Sequence, residues 1–147
     1  MFIQSVSIYF DKKKNVIIFP IWRDEDGIPR QSMKFVKLNF GYNETELGKE
    51  ILDVLETSRI NEYEDTKQNA WKEASNLNTW KKFQKNYETV KVDLFENKKW
   101  NLAKYRKLKD GSFGLEKGDE EKYSREYTEP LTVQQLGHIV LEMLKIK

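Results

Sequence analysis

The chain contains no cysteine and one histidine among 147 residues. Without thiols there is no disulfide, no thiolate metal site and no cysteine nucleophile. With a single imidazole there is no ribonuclease-type histidine pair and no histidine-built metal cage. Long apolar runs are also missing: no stretch reaches the ~18 residues that a membrane helix needs. The opening MFIQSVSIYFDKKK lacks a basic leading region and a sustained apolar run, so it does not read as a signal peptide. Nor does one sign of charge dominate. Twenty-six Lys and Arg stand against 24 Asp and Glu, a net charge of +2, which makes no global case for a nucleic-acid or membrane surface. A reducing cytoplasm fits the absence of cysteine.

What is present is a charge-rich chain with a large aromatic content. Charged residues make up 34%, a level that would suit disorder, but four Trp, seven Tyr and eight Phe supply a folded core. The length suits one domain.

Two stretches organise the rest. Asn43 to Leu55, NETELGKEILDVL, has Asn43 as a helix N-cap and Glu46 three residues on, a capping box. Leu47, Ile51, Leu52 and Leu55 then form one apolar face. Thr132 to Leu144, TVQQLGHIVLEML, repeats the design: Thr132 caps, Gln135 closes the box, and Leu136, Val140, Leu141 and Leu144 form the face. A shift of 89 residues lays cap on cap, box on box and Leu47-Gly48 on Leu136-Gly137. A glycine inside a helix costs about 1 kcal/mol against alanine. Two at one position in the first turn imply that both helices pass close to another backbone.

Ahead of the first helix, Ser5 to Phe10 alternates as a half-buried strand, with Val6, Ile8 and Phe10 on one side. Val16 to Trp22, VIIFPIW, is apolar on both faces, as a strand covered on two sides would be. Pro20 within it removes a ladder donor and points instead to an edge or a bulge. Asp26-Gly27 signals a hairpin turn, and Met33 to Phe40 is the third strand. The first helix then runs to about Ile60. After a polar connector from Asn61, the segment Ala70 to Tyr87 carries Trp71, Ala74, Leu77, Trp80 and Phe83 at helical spacing, interrupted by Asn76 and Asn78, and reads as one or two short helices. Thr89 to Phe95 and Trp100 to Leu108 are strands, with Asp110-Gly111 as a second hairpin signal. An offset of 84 puts Val6 on Val90, Lys14 on Lys98 and Asp26-Gly27 on Asp110-Gly111. Tyr123 and Tyr127 mark a further strand before the last helix. The fold expected is α+β: two βββα repeats of antiparallel strands, in one or two sheets, with the amphipathic helices packed on their hairpins and a short helical connector. The single domain divides into repeat one at about 5–60, connector at about 61–88 and repeat two at about 89–147.

No constellation spells out catalysis. His138 lies off the apolar stripe and reads as a solvated helix residue. Gly111 to Gly118, GSFGLEKG, follows a hairpin signal and matches neither a P-loop nor a dinucleotide fingerprint. No catalytic residue, metal site or cofactor is expected. Two surface segments remain. Lys98 to Lys109 interleaves Lys98, Lys99, Lys104, Arg106, Lys107 and Lys109 with Trp100 and Tyr105, a pattern that suits single-stranded nucleic acid but suits better a strand with a solvated basic face and aromatics in the core. Glu116 to Glu129 is acidic, either a polar loop or a surface for a basic partner, where opposite potentials speed encounter.

The order SVSIYF, NVIIFPIWR, ELGKEILDVLETSR, NTWKKFQKNY and QLGHIVLEMLK resembles bacterial immunity proteins of contact-dependent growth inhibition (CDI) systems, the CdiI type, over nearly the whole chain. The resemblance implies a cytoplasmic, non-catalytic protein whose partner is the C-terminal toxin domain of a matching CdiA-type effector, often a nuclease. It acts by covering the toxin's active site, without membrane or direct nucleic-acid contact. Nuclease clefts are basic, so charge nominates Asp119, Glu120, Glu121, Glu126 and Glu129 as toxin-binding residues, with the turn acids Asp24, Glu25 and Asp26 second. Trp71, Trp80 and Phe83 read as connector anchors. The alternative is a single-stranded nucleic-acid-binding protein with a Whirly-like architecture, the Lys98 to Lys109 strand serving as its track.

Overall fold

In the computed structural model, residues 3–58 and 63–147 are described. Strands β1 (Ile3–Phe10) and β2 (Val16–Arg23) form a hairpin, followed by two short strands, β3 (Pro29–Gln31) and β4 (Val36–Leu38), and by helix α1 (Glu44–Thr57). Two short helices, α2 (Ala70–Ser75) and α3 (Trp80–Asn86), make the connector. A second hairpin, β5 (Glu88–Phe95) and β6 (Trp100–Lys107), leads to β7 (Phe113–Gly114), a one-turn helix α4 (Glu120–Tyr123), β8 (Ser124–Tyr127) and helix α5 (Val133–Leu144). The expected helix end near Ile60 and connector start at Asn61 lie outside the described residues.

All strands among the described residues join one eight-stranded antiparallel sheet in the order β3-β2-β1-β5-β6-β7, with β4 also on β2 and β8 also on β6. The centre is the β1–β5 pairing, which runs from Ile3 opposite Phe95 to Phe10 opposite Glu88. The expected βββα unit is thus replaced: each hairpin is followed by two short strands, not one long one. The expected strand Met33 to Phe40 is only β4, and β3 precedes it. The two tight turns, Asp11–Asn15 and Phe95–Lys99, place Lys14 and Lys98 alike in the left-handed region, at φ 67° and 72°.

Strand alternation divides the core in two. Val6, Ile8 and Phe10 of β1, Val16 and Ile18 of β2, Val90 and Val92 of β5, and Trp100 and Leu102 of β6 face the α1–α5 layer. Tyr9, Ile17 and Phe19 face the other way, against Ala70, Ala74 and Phe83 of the connector. This double cover explains why VIIFPIW is apolar on both faces. Pro20 fits because of where β2 changes its outer partner. Val16–Ile18 pair with β4 and Ile21–Arg23 with β3, leaving Phe19 and Pro20 between them. The Pro20 carbonyl accepts from the Ser32 N–H at 2.8 Å on that outer side. N and C=O of one extended residue point the same way, so the missing donor falls in the gap between β4 and β3. Pro20 is not on an edge strand; it borders a bulge-like break in register, where Phe19 alone stands opposite residues 33–35 between the β3 and β4 pairings.

Both capping boxes are present. Asn43 and Thr132 accept from the backbone N–H of Glu46 and Gln135, whose side chains accept in return from the cap N–H groups. Each helix lies on its own hairpin, α1 over β1 and β2, α5 over β5 and β6, and the two cross each other closely. Gly48 and Gly137 make the crossing possible. A Cβ on Gly48 would sit 1.7 Å from the Val133 carbonyl oxygen, and one on Gly137 would sit 1.9 Å from that of Glu44. The glycines serve each other's helix, and the two contacts are related by the same shift that superimposes the caps.

The connector is two helices because Asn76 ends α2 in the left-handed conformation, φ 61°, which asparagine tolerates. Thr79 then caps α3, accepting from the Lys82 N–H. Phe83 is fully buried, stacked between Trp80 and Tyr87 and edge-on to Tyr9. Trp80 Nε1 donates to the Gly111 carbonyl, and Gln84 Nε2 to the carbonyls of Leu108 and Ser112. These bonds tie the connector to the β6–β7 turn. Trp71, Trp80 and Phe83 are anchors of this layer, as expected.

Candidate interaction surface

The acidic segment after β7 is built around one ion pair. Arg106, projecting from the end of β6, reaches Asp119 Oδ2 at 3.1 Å, while the Glu116 N–H donates to the same oxygen at 2.8 Å. That backbone donor, aided by Arg106, holds the Asp119 carboxyl below its usual 3.8. The Arg106 guanidinium also lies over the Tyr123 ring, 5.5 Å from its centre. Asp119 is therefore engaged in closing its own loop. Glu120 and Glu121 sit on α4, exposed and without an ion pair among the described residues. Glu126, on β8, lies 3.1 Å from Lys99. Glu129 is exposed at the rim of a groove of about 510 Å³ between β8 and α5, beside Tyr127, Leu131, Gln134 and His138.

The turn acids behave in the same divided way. Asp24 pairs with Arg30 at 2.7 Å and accepts from the N–H groups of Ile28 and Asp26. Arg30 first, then those donors, keep its carboxyl below 3.8. Glu25 and Asp26 point outward over a shallow groove of about 430 Å³ with Trp22, Tyr63 and Asp65. This turn follows β2, whereas the other acids follow β6. The two groups stand toward opposite edges of the sheet, and the fold does not bring them together.

The basic strand is largely committed internally. Alternation sends Trp100, Leu102 and Lys104 toward the α1–α5 layer and Tyr105 to the opposite face, so cations and rings do not form one track. Lys104 is buried, and its Nζ donates to the carbonyls of Leu144 at 2.9 Å and Ile146 at 3.2 Å, with Glu88 at 3.8 Å. Burial draws its pKa below 10.5. It serves as the C-terminal cap of α5, a role its place in a lysine-rich strand did not disclose. Lys107 bonds the Lys85 carbonyl and Glu88, and Lys99 and Arg106 have the acidic partners already described.

Among the described residues, no group of three or more His, Asp or Glu side chains is arranged to hold a metal ion. No helix among them is long and apolar enough to cross a membrane.

No family model and no curated protein matches the chain. Solved structures do share its fold along nearly its whole length. A protein of unknown function from Neisseria meningitidis superposes with a TM-score of 0.70 at 14% identity, covering 98% of this chain and 94% of that one. A chain of the CdiA-CT/CdiI toxin and immunity complex from Yersinia pseudotuberculosis superposes with a TM-score of 0.68 at 9% identity, covering 97% and 98%. At such identities the likeness is one of fold.

Proposed function

We propose that this chain is an immunity protein that binds and neutralises the C-terminal toxin domain of a cognate CDI effector. The observation that carries this reading is the end-to-end match of fold with a chain from a toxin and immunity complex, 97% of one against 98% of the other. The surface supports the same role. Glu120, Glu121 and Glu129 face outward without an ion pair among the described residues, while Lys99, Lys104, Arg106 and Lys107 of the basic strand have acidic partners.

On this reading the chain acts by occlusion and has no chemistry of its own. The toxin is a nuclease with a basic cleft, and carboxylates enter that cleft where phosphates would lie. Glu120, Glu121, Glu126 and Glu129 form the primary contact set and Glu25 and Asp26 the second. Asp119 and Asp24 act indirectly, by shaping the loops that carry them. The site of action is the cytoplasm, before the toxin reaches its substrate. The committed state of the Lys98 to Lys109 strand speaks against the single-strand-binding alternative.

The test is co-expression with the C-terminal domain encoded by the reading frame immediately upstream, which on this reading ends a large secreted effector. The expected result is a stable complex and rescue of growth, with affinity falling at least about tenfold when Glu120, Glu121, Glu126 and Glu129 are reversed to lysine, and a strong salt dependence. Absence of any complex with that domain would refute the function. A complex indifferent to the four reversals would keep the function and move the interface.

A further inference from the structure

The single histidine stands where α1 and α5 cross. Gly137 packs on the Glu44 carbonyl, so its neighbour His138 emerges beside the first turn of α1. Nδ1 of His138 meets Glu44 Oε2, and Nε2 lies 3.1 Å from Glu142 Oε2, one turn further along α5. Both carboxylates are steadied from the other side. Gln134 Nε2 donates to Glu44 Oε1 at 3.1 Å, and Arg125 Nη1, from β8, donates to Glu142 Oε1 at 2.6 Å. The ring is thus faced by Glu44 from α1 and Glu142 from its own helix, with Arg125 of β8 behind Glu142.

An ionised carboxylate only accepts hydrogen bonds. A neutral imidazole has one N–H and one lone pair, so it can satisfy one of two flanking carboxylates and must oppose the other. The imidazolium has two N–H groups and satisfies both. We propose that His138 is a proton-operated clasp: charged, it ties Glu44 of α1 to Glu142 of α5 across the glycine crossing; neutral, it lets one of them go. Within the fold it joins the helix of the first hairpin to the helix of the second.

The electrostatics run in the same direction. The bond to Glu44 and its charge, then the charge of Glu142, raise the His138 pKa above 6.5. Arg125 holds Glu142 below 4.5, so that carboxylate stays ionised while the ring titrates. A folded-state value above the unfolded one means that the clasp contributes fully below pH 6.5 and is lost as pH rises through the raised value.

The test is an NMR titration of the His138 ring protons in the full chain, from about pH 5 to about pH 9, across the range where histidine titrates. The expected midpoint lies above 6.5 and falls in both E44Q and E142Q. Urea unfolding of the wild type and H138Q should show a stability advantage for the wild type that is largest below pH 6.5 and fades on the alkaline side. A wild-type midpoint at or below 6.5, a midpoint that E44Q leaves in place, or the same pH dependence of stability in H138Q would overturn the proposal.

Discussion

Gly48 and Gly137 show how a residue's worth can invert with its surroundings. On an isolated helix, alanine at either position would gain about 1 kcal/mol. Here the added methyl carbon would fall 1.7 or 1.9 Å from a backbone oxygen of the facing helix. A backbone carbonyl cannot rotate away as a side chain can, so the helices must separate. G48A and G137A should each lower stability by about 1–3 kcal/mol, the range typical of overpacking, read as a reduced urea midpoint. A gain would show that the crossing is looser than the geometry implies. Lys104 is a second case of a residue whose role its chain neighbours conceal. It sits in a run of lysines, yet its ammonium is buried against the carbonyl of Leu144, the last residue of α5, which has no partner inside the helix, and that of Ile146 just beyond it. The capping boxes, by contrast, were legible directly, because cap and partner are three residues apart and the bonds between them are local.

At the scale of elements, the connector is the part whose purpose was least visible. Its aromatic spacing announced a helix, and Asn76 announced the break. What it covers depends on the sheet: once β1 and β2 lie side by side, Tyr9, Ile17 and Phe19 form an apolar second face that needs a cover, and α2 and α3 supply it. Phe83 is the centre of that layer. F83A should cost about 3–5 kcal/mol, as aromatic truncations in cores do. It should also shift Trp71 and Trp80 emission to the red, since both rings contact Phe83. Unaltered stability and emission would mean that the connector is not part of the folded core. Pro20 teaches the related lesson. Its strand read both as doubly covered and as broken by a proline. Both were true, because the missing donor falls where β2 passes from one short partner to the other.

For the molecule as a whole, the β1–β5 ladder and the α1–α5 crossing join the two hairpin units by backbone on one side of the core and by helix packing on the other. Neither unit can unfold without exposing the apolar face of its neighbour, so the chain should melt as one cooperative body. Tryptophan fluorescence, weighted to the connector layer by Trp71 and Trp80, and far-ultraviolet circular dichroism should give coincident urea transitions. Separated transitions would show that the connector or one hairpin unit folds on its own.

The amino-acid sequence by itself determined the local features: alternating strands, two boxed helices, the hairpin turns, the paired glycines and the absence of thiol chemistry. Each depends on residues within a few positions of one another, where backbone geometry fixes what side chains can meet. Only the tertiary structure decided that all strands form one sheet, that the glycines face each other, that Asp119 and Asp24 are held inside their loops while neighbouring acids point outward, and that His138 lies between two carboxylates. Those outcomes depend on which distant segments meet, and periodicity carries no record of that.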